Sequence, residues 1–175
     1  PASPQQAAQR SQRLQQKQTA EKLLEQLLRR SAELQAAGAE RWAAADYARL
    51  QQQTLLADRD LDQGLFQQAA TQYRELLRGL DQLEQSAPGR LADALDRGQQ
   101  ALQRADGVEA QRQFDIALAL QPESEAARRG LQRSQTIAQV VELDRQAQAA
   151  AAQGDLQQAL TAHRQALSMD ADYLP

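Results

Sequence analysis

The sequence predicts an all-α protein, and three observations carry that expectation. Ala (35), Gln (33) and Leu (26) make up more than half of the 175 residues, whereas Val, Ile and Thr together number 10. Strands draw on β-branched and aromatic side chains and helices on unbranched ones, so the composition excludes a sheet protein. Apolar residues recur at three- and four-residue steps through most of the chain, and most of the glycines and prolines fall between those stretches.

Residues 1–13 open with Pro, Ala and Gln and show no periodic apolar face, which reads as a flexible linker. From 14 to 41 an amphipathic helix is expected, with Ala20, Leu24, Leu27, Ser31 and Leu34 on one stripe and Gly38 as its stop. The stripe is too short for a long coiled coil, and Leu24, Leu27 and Leu34 are candidates for a short self-association seam. A second pattern, Ala43, Tyr47, Leu50, Thr54, Ala57 and Leu61, runs to Gly64. Phe66, Ala69, Tyr73, Leu76, Leu80 and Leu83 form the next and cleanest stripe. Pro88 lacks a backbone donor and biases Ala87 away from helix, so this helix is expected to end at 86–89.

A short helix over 91–104 then leads to Asp106, which with Glu109 spells a capping box for a helix carrying Ala110, Phe114, Ala117 and Leu118. Gln121-Pro122 closes it. Residues 123–153 contain no Pro after 122 and one Gly130, and predict a single long helix of roughly 45 Å at 1.5 Å per residue. Gly154-Asp155 repeats the stop and the cap, and 156–168 forms the last helix before a connector over 169–175.

Net charge is −3 and the sequence pI about 5.3, which supplies no basic face for nucleic acid. The excess of +4 within residues 1–30, six basic against two acidic side chains, lacks the aromatic interleaving of a nucleic-acid site and reads as a solvated helix face. No apolar run reaches the ~18 residues of a membrane span. Cysteine is absent and Met169 is the only methionine. The missing initiator is read as a removed signal or a fragment of a longer protein.

Three turns share one grammar. Gly64-Leu-Phe-Gln-Gln-Ala69 precedes Tyr73, Ala105-Asp-Gly-Val-Glu-Ala110 precedes Phe114, and Gly154-Asp-Leu-Gln-Gln-Ala159 precedes His163. Ala-Leu follows at Ala117-Leu118 and Ala166-Leu167. This resembles the tetratricopeptide repeat, in which two antiparallel helices pack through small residues, here Gly98 and Ala101, and stack on the next pair. The resemblance implies an α-solenoid over 42–175, divided near 42–88, 89–122 and a truncated 123–175, with an extra N-terminal helix. The copies are about 41 and then 49 residues apart rather than 34, and Ala171 stands where the family often has Pro. In such a stack the last helix is uncovered, so the face near Leu160 and Leu167 is expected to be sticky. The segment leading into Trp42 and Tyr47 is also similar to helical envelope proteins of bacteria.

Chemistry is sparse. Asp58, Asp60 and Asp62 are spaced like the start of a calcium loop, but Gln63 and Ala69 stand where such a loop needs Gly and a bidentate Glu. His163, the single histidine, has no Cys, Glu or second His near it in sequence, and no Gly-rich phosphate loop occurs. No metal, cofactor or catalytic residue is therefore expected. The resemblance implies protein binding in a groove, with Leu95, Gln99, Leu102, Val141, Asp144 and Gln148 as the groove-facing candidates. These lack the cationic set with which some members of the family grip a peptide carboxylate. Trp42, beside a helix boundary, is the candidate binding anchor. The functional expectation is a non-catalytic scaffold with a protein partner, in the periplasmic part of a bacterial envelope protein anchored upstream. The alternatives are a spacer that dimerises through the N-terminal helix and, for the compartment, the cytoplasm.

Overall fold

The structure, a computed structural model, describes residues 3–173; Pro1 and Ala2 of the expected linker and Leu174 and Pro175 of the expected connector lie outside them. Among the described residues the chain is all-α, with helices α1 (Pro4–Ala36), α2 (Ala39–Trp42), α3 (Ala44–Asp62), α4 (Phe66–Gln103), α5 (Gly107–Leu120), α6 (Glu125–Ala152) and α7 (Leu156–Met169). They divide into two compact units, Pro1–Pro88 and Gly89–Pro175, and the boundary falls within α4.

Two local expectations are corrected. Where a linker was read over 1–13, the chain is helical from Pro4. The Ser3 hydroxyl accepts from the Gln6 N–H at 3.3 Å, the Gln6 side chain accepts from the Ser3 N–H at 3.1 Å, and Pro4 occupies the first turn, where its missing donor costs nothing. The helix expected to stop at Pro88 continues through it to Gln103. The ring's loss of one N–H is confined to one turn, and nearby the Ser86 hydroxyl donates to the Leu83 carbonyl at 2.6 Å.

In the first unit α1, α3 and the first part of α4 run up, down and up. The Arg13 guanidinium lies over the Phe66 ring and Arg30 reaches Asp81 and Glu84 at 2.9 and 2.6 Å, so α1 and α4 are parallel. Tyr73 pairs with Asp58 and Gly79 faces Leu50, so α3 and α4 are antiparallel. The core between them is Ala20, Leu27, Leu34, Tyr47, Ala57, Tyr73, Leu76, Leu80 and Leu83. Burying one such leucine contributes about 1.5–3 kcal/mol.

The second unit is two helical hairpins, the end of α4 with α5 and α6 with α7. Phe114 of α5 is its pivot. A Cβ on Gly98 would meet the Phe114 ring at 2.7 Å and one on Gly130 would strike the same ring more closely still, so only glycines admit the ring beside both α4 and α6. Ala94, Ala101, Leu102, Ala110, Ala117, Ala127 and Ile137 complete this core, and Val140, Leu143 and Ala166 form a second cluster.

The repeated grammar has one geometry. At α3–α4 the Gly64 N–H bonds the Leu61 carbonyl and the Leu65 N–H the Asp60 carbonyl; Ala105 with Leu102 and Asp106 with Ala101, then Gly154 with Ala151 and Asp155 with Ala150, repeat the pair. This is the Schellman closure, which requires a left-handed residue: Gly64 at φ 76, Ala105 at φ 56 and Gly154 at φ 82. Asp106 and Asp155 then cap the next helix through the N–H groups of Glu109 and Gln158.

Candidate protein-binding surfaces

The sequence-predicted residues do not form one open groove. Leu102 is buried, and Leu95 and Val141 are half-buried against the same core, so these three meet as packing. Gln99 and Gln148 are exposed, and the Gln148 amide donates to Asp144 Oδ2 at 2.7 Å. Asp144 is itself buried, facing α7 rather than solvent.

Trp42, the expected anchor, is 6% exposed, and its indole N–H donates to the Ala37 carbonyl at 2.9 Å, holding the short α2 against the end of α1. The self-association seam is likewise filled from within: Leu27 and Leu34 are buried and Leu24 is half-buried by the unit's own helices.

The aspartates of the calcium-like spacing tie helices together. The Tyr73 hydroxyl donates to Asp58 and the Gln72 amide to Asp60, each at 2.6 Å. Among the described residues no group of three or more His, Asp or Glu converges as metal ligands do. Burial, and then the hydrogen bond to Asp58, push the Tyr73 phenol above its ordinary range. Glu109, half-buried, and Glu142, exposed, are held down at about 2, first by hydrogen bonds from Arg112 and Arg145 and then by Gln113 and Gln146. Each of these shifts leads away from neutrality.

Sequence reasoning missed two features. A cleft of about 280 Å³ opens within the first unit, floored by Tyr47, Leu50, Leu76 and Leu80 and rimmed by Leu28 and Leu55, which are 57% and 62% exposed. Its polar groups are occupied by the fold: the Tyr47 hydroxyl donates to the Ser31 carbonyl and Thr54 to the Leu50 carbonyl. In the second unit the Asp144 Oδ1 has no hydrogen-bond partner and lies 3.5 Å from His163 Nδ1, with the Tyr173 hydroxyl 3.5 Å from Oδ2. The repeat carries a signal for this pair. Forty-nine residues earlier the same two positions hold Leu95 and Phe114, so both become ionisable together.

The outer side of α7 presents Leu156, Leu160 and Leu167, 73%, 51% and 51% exposed, with His163 between them. No described helix is long and apolar enough to cross a membrane. No protein-family model, curated protein or solved structure matches this chain.

Proposed function

We propose that the chain is a non-catalytic scaffold that binds another protein through its exposed apolar helix faces. The observation that carries this reading is the pair of leucine surfaces, Leu28 with Leu55 on the first unit and the α7 row on the second, set on helices whose cores are otherwise closed. Small proteins keep contiguous apolar surface where a partner covers it. The charged groups support the same reading. Asp58, Asp60, Arg133 and Asp170 are engaged in joining helices, and the shifted tyrosine and glutamates move away from the pH range a general acid or base needs. The pairing of helix hairpins through Gly98 and Gly130 fits the likeness to tetratricopeptide repeats, and adaptor roles are what that likeness brings to the proposal.

The envelope setting is part of the proposal and stands on the likeness of the segment around Trp42 and Tyr47. Fractionation of cells is its check: recovery of the protein with the envelope supports it, and recovery in the cytosol ends it. The scaffold itself is tested by placing a photo-crosslinking residue at Leu28, Leu55, Leu160 or Leu167 in turn. A foreign protein crosslinked in stoichiometric yield from at least one of these sites is expected; no adduct from any of them overturns the reading.

A further inference from the structure

Helices α5 and α7 are copies 49 residues apart, and the copy extends through the turn that follows each. Asp106 and Asp155 cap them, and Ala110 with Ala117 matches Ala159 with Ala166, all buried. At the far end Gln121 (φ −139, ψ 91) bonds the Ala117 carbonyl at 2.8 Å, and Asp170 (φ −145, ψ 97) bonds the Ala166 carbonyl at 3.0 Å. Position can therefore be compared with position. What the first copy covers, the second leaves open.

In the first copy the covering element is α6. Gly107 lies against the Ser134 carbonyl and Ile137, Phe114 lies against Gly130, and Leu118 packs on the same core. Since 107 meets 134 and 137 while 114 meets 130, α6 runs antiparallel to α5, and it approaches closely because Gly130 and Ser134, four residues apart, present almost no side chain. The matching positions on α7 are Leu156, His163 and Leu167, and Leu160 replaces Gln111, which is solvated in the first copy. The second copy is thus the more apolar at its open face, and each of its three leucines is at least half exposed.

We propose that this face of α7 binds an α-helix of a partner protein, antiparallel to α7, that carries small residues four apart opposite His163, as α6 carries Gly130 and Ser134 opposite Phe114. The inference rests on the scaffold reading and names the kind of partner for one of its two surfaces. A helix of this kind buries the leucine row and closes over the His163 imidazole, whose inner nitrogen already faces Asp144.

The probe is a labelled peptide with the sequence of residues 123–141, which contains Gly130 and Ser134, titrated into the full chain with anisotropy and methyl NMR as readouts. Saturable binding is expected, with shifts at the methyl groups of Leu156, Leu160 and Leu167. Leu160→Glu and Leu167→Glu, both surface changes checked by an unaltered melting curve, should each weaken it at least tenfold, and so should Gly130→Leu in the peptide. Absence of saturation, or equal binding of the Gly130→Leu peptide, overturns the proposal. Sedimentation showing that the chain pairs with itself through this face, with pairing lost in Leu160→Glu, also overturns it by assigning the face to a second copy. If the peptide fails while Leu28 or Leu55 crosslinks a foreign protein, the scaffold stands and this assignment alone falls.

Discussion

Tyr73 shows how one side chain joins sequence to stability. It is fully buried, and its hydroxyl donates to Asp58 across the α3–α4 interface at 2.6 Å. Because its folded pKa lies above the unfolded value near 10, the phenol's contribution is complete below pH 10 and is lost as pH rises past it. Tyr73→Phe is expected to cost about 1 kcal/mol at neutral pH, the usual worth of such a bond, and to flatten the decline in stability above pH 10. Urea melts of the two proteins at pH 8 and 11 check both statements. Ala105 makes the opposite case. It holds the left-handed position that Gly64 and Gly154 fill in the sister turns. Strain of about 1–2 kcal/mol there outweighs glycine's entropic cost of roughly 0.5–1 kcal/mol. Ala105→Gly should therefore stabilise the chain by about 0.5–1 kcal/mol in the same assay. The acidic spacing at Asp58 and Asp60 was visible in the sequence, but its use was not, since Gln72 and Tyr73 reach it only once α3 and α4 are paired.

At the scale of the element, apolar periodicity made most helices legible, because a stripe at three- and four-residue steps has only one way to be buried. It failed where burial does not set the boundary. The first three turns of α1 are solvated and start from the Ser3–Gln6 capping box, a signal written in side chains with no stripe behind it. At Pro88 a local rule was overridden by the elements on either side, both of which favour helix. Pro88→Ala restores a donor to that turn and is expected to raise stability by about 1–3 kcal/mol, read as a higher melting temperature. Where α5 meets α6, the Phe114 ring leaves no room for a side chain at position 130. Gly130→Ala drives a methyl into the Phe114 ring and should cost about 1–3 kcal/mol. Adding Phe114→Leu should return part of that loss, and a double-mutant cycle gives the coupling.

Taken whole, the chain is a series of helices whose turns repeat more faithfully than their faces. The repeat was legible because Gly, Ala and Asp at the turns obey backbone constraints that burial does not alter. The binding candidates were less so. Trp42, Leu102 and Asp144 look available in a one-dimensional register, but each is buried, Leu102 and Asp144 among residues distant in sequence. The cleft beside Leu28 and Leu55 needs three helices to exist and has no linear signature. The α7 row, by contrast, follows from the repeat as soon as α5 and α7 are aligned. The central claim is that these surfaces serve another protein. It is tested most directly by in-cell crosslinking of the tagged full-length protein at Leu28, Leu55, Leu160 and Leu167, followed by affinity capture and mass spectrometry. A foreign protein in stoichiometric yield at one of these sites is the predicted result; adducts only between copies of the chain, or none at all, would contradict it.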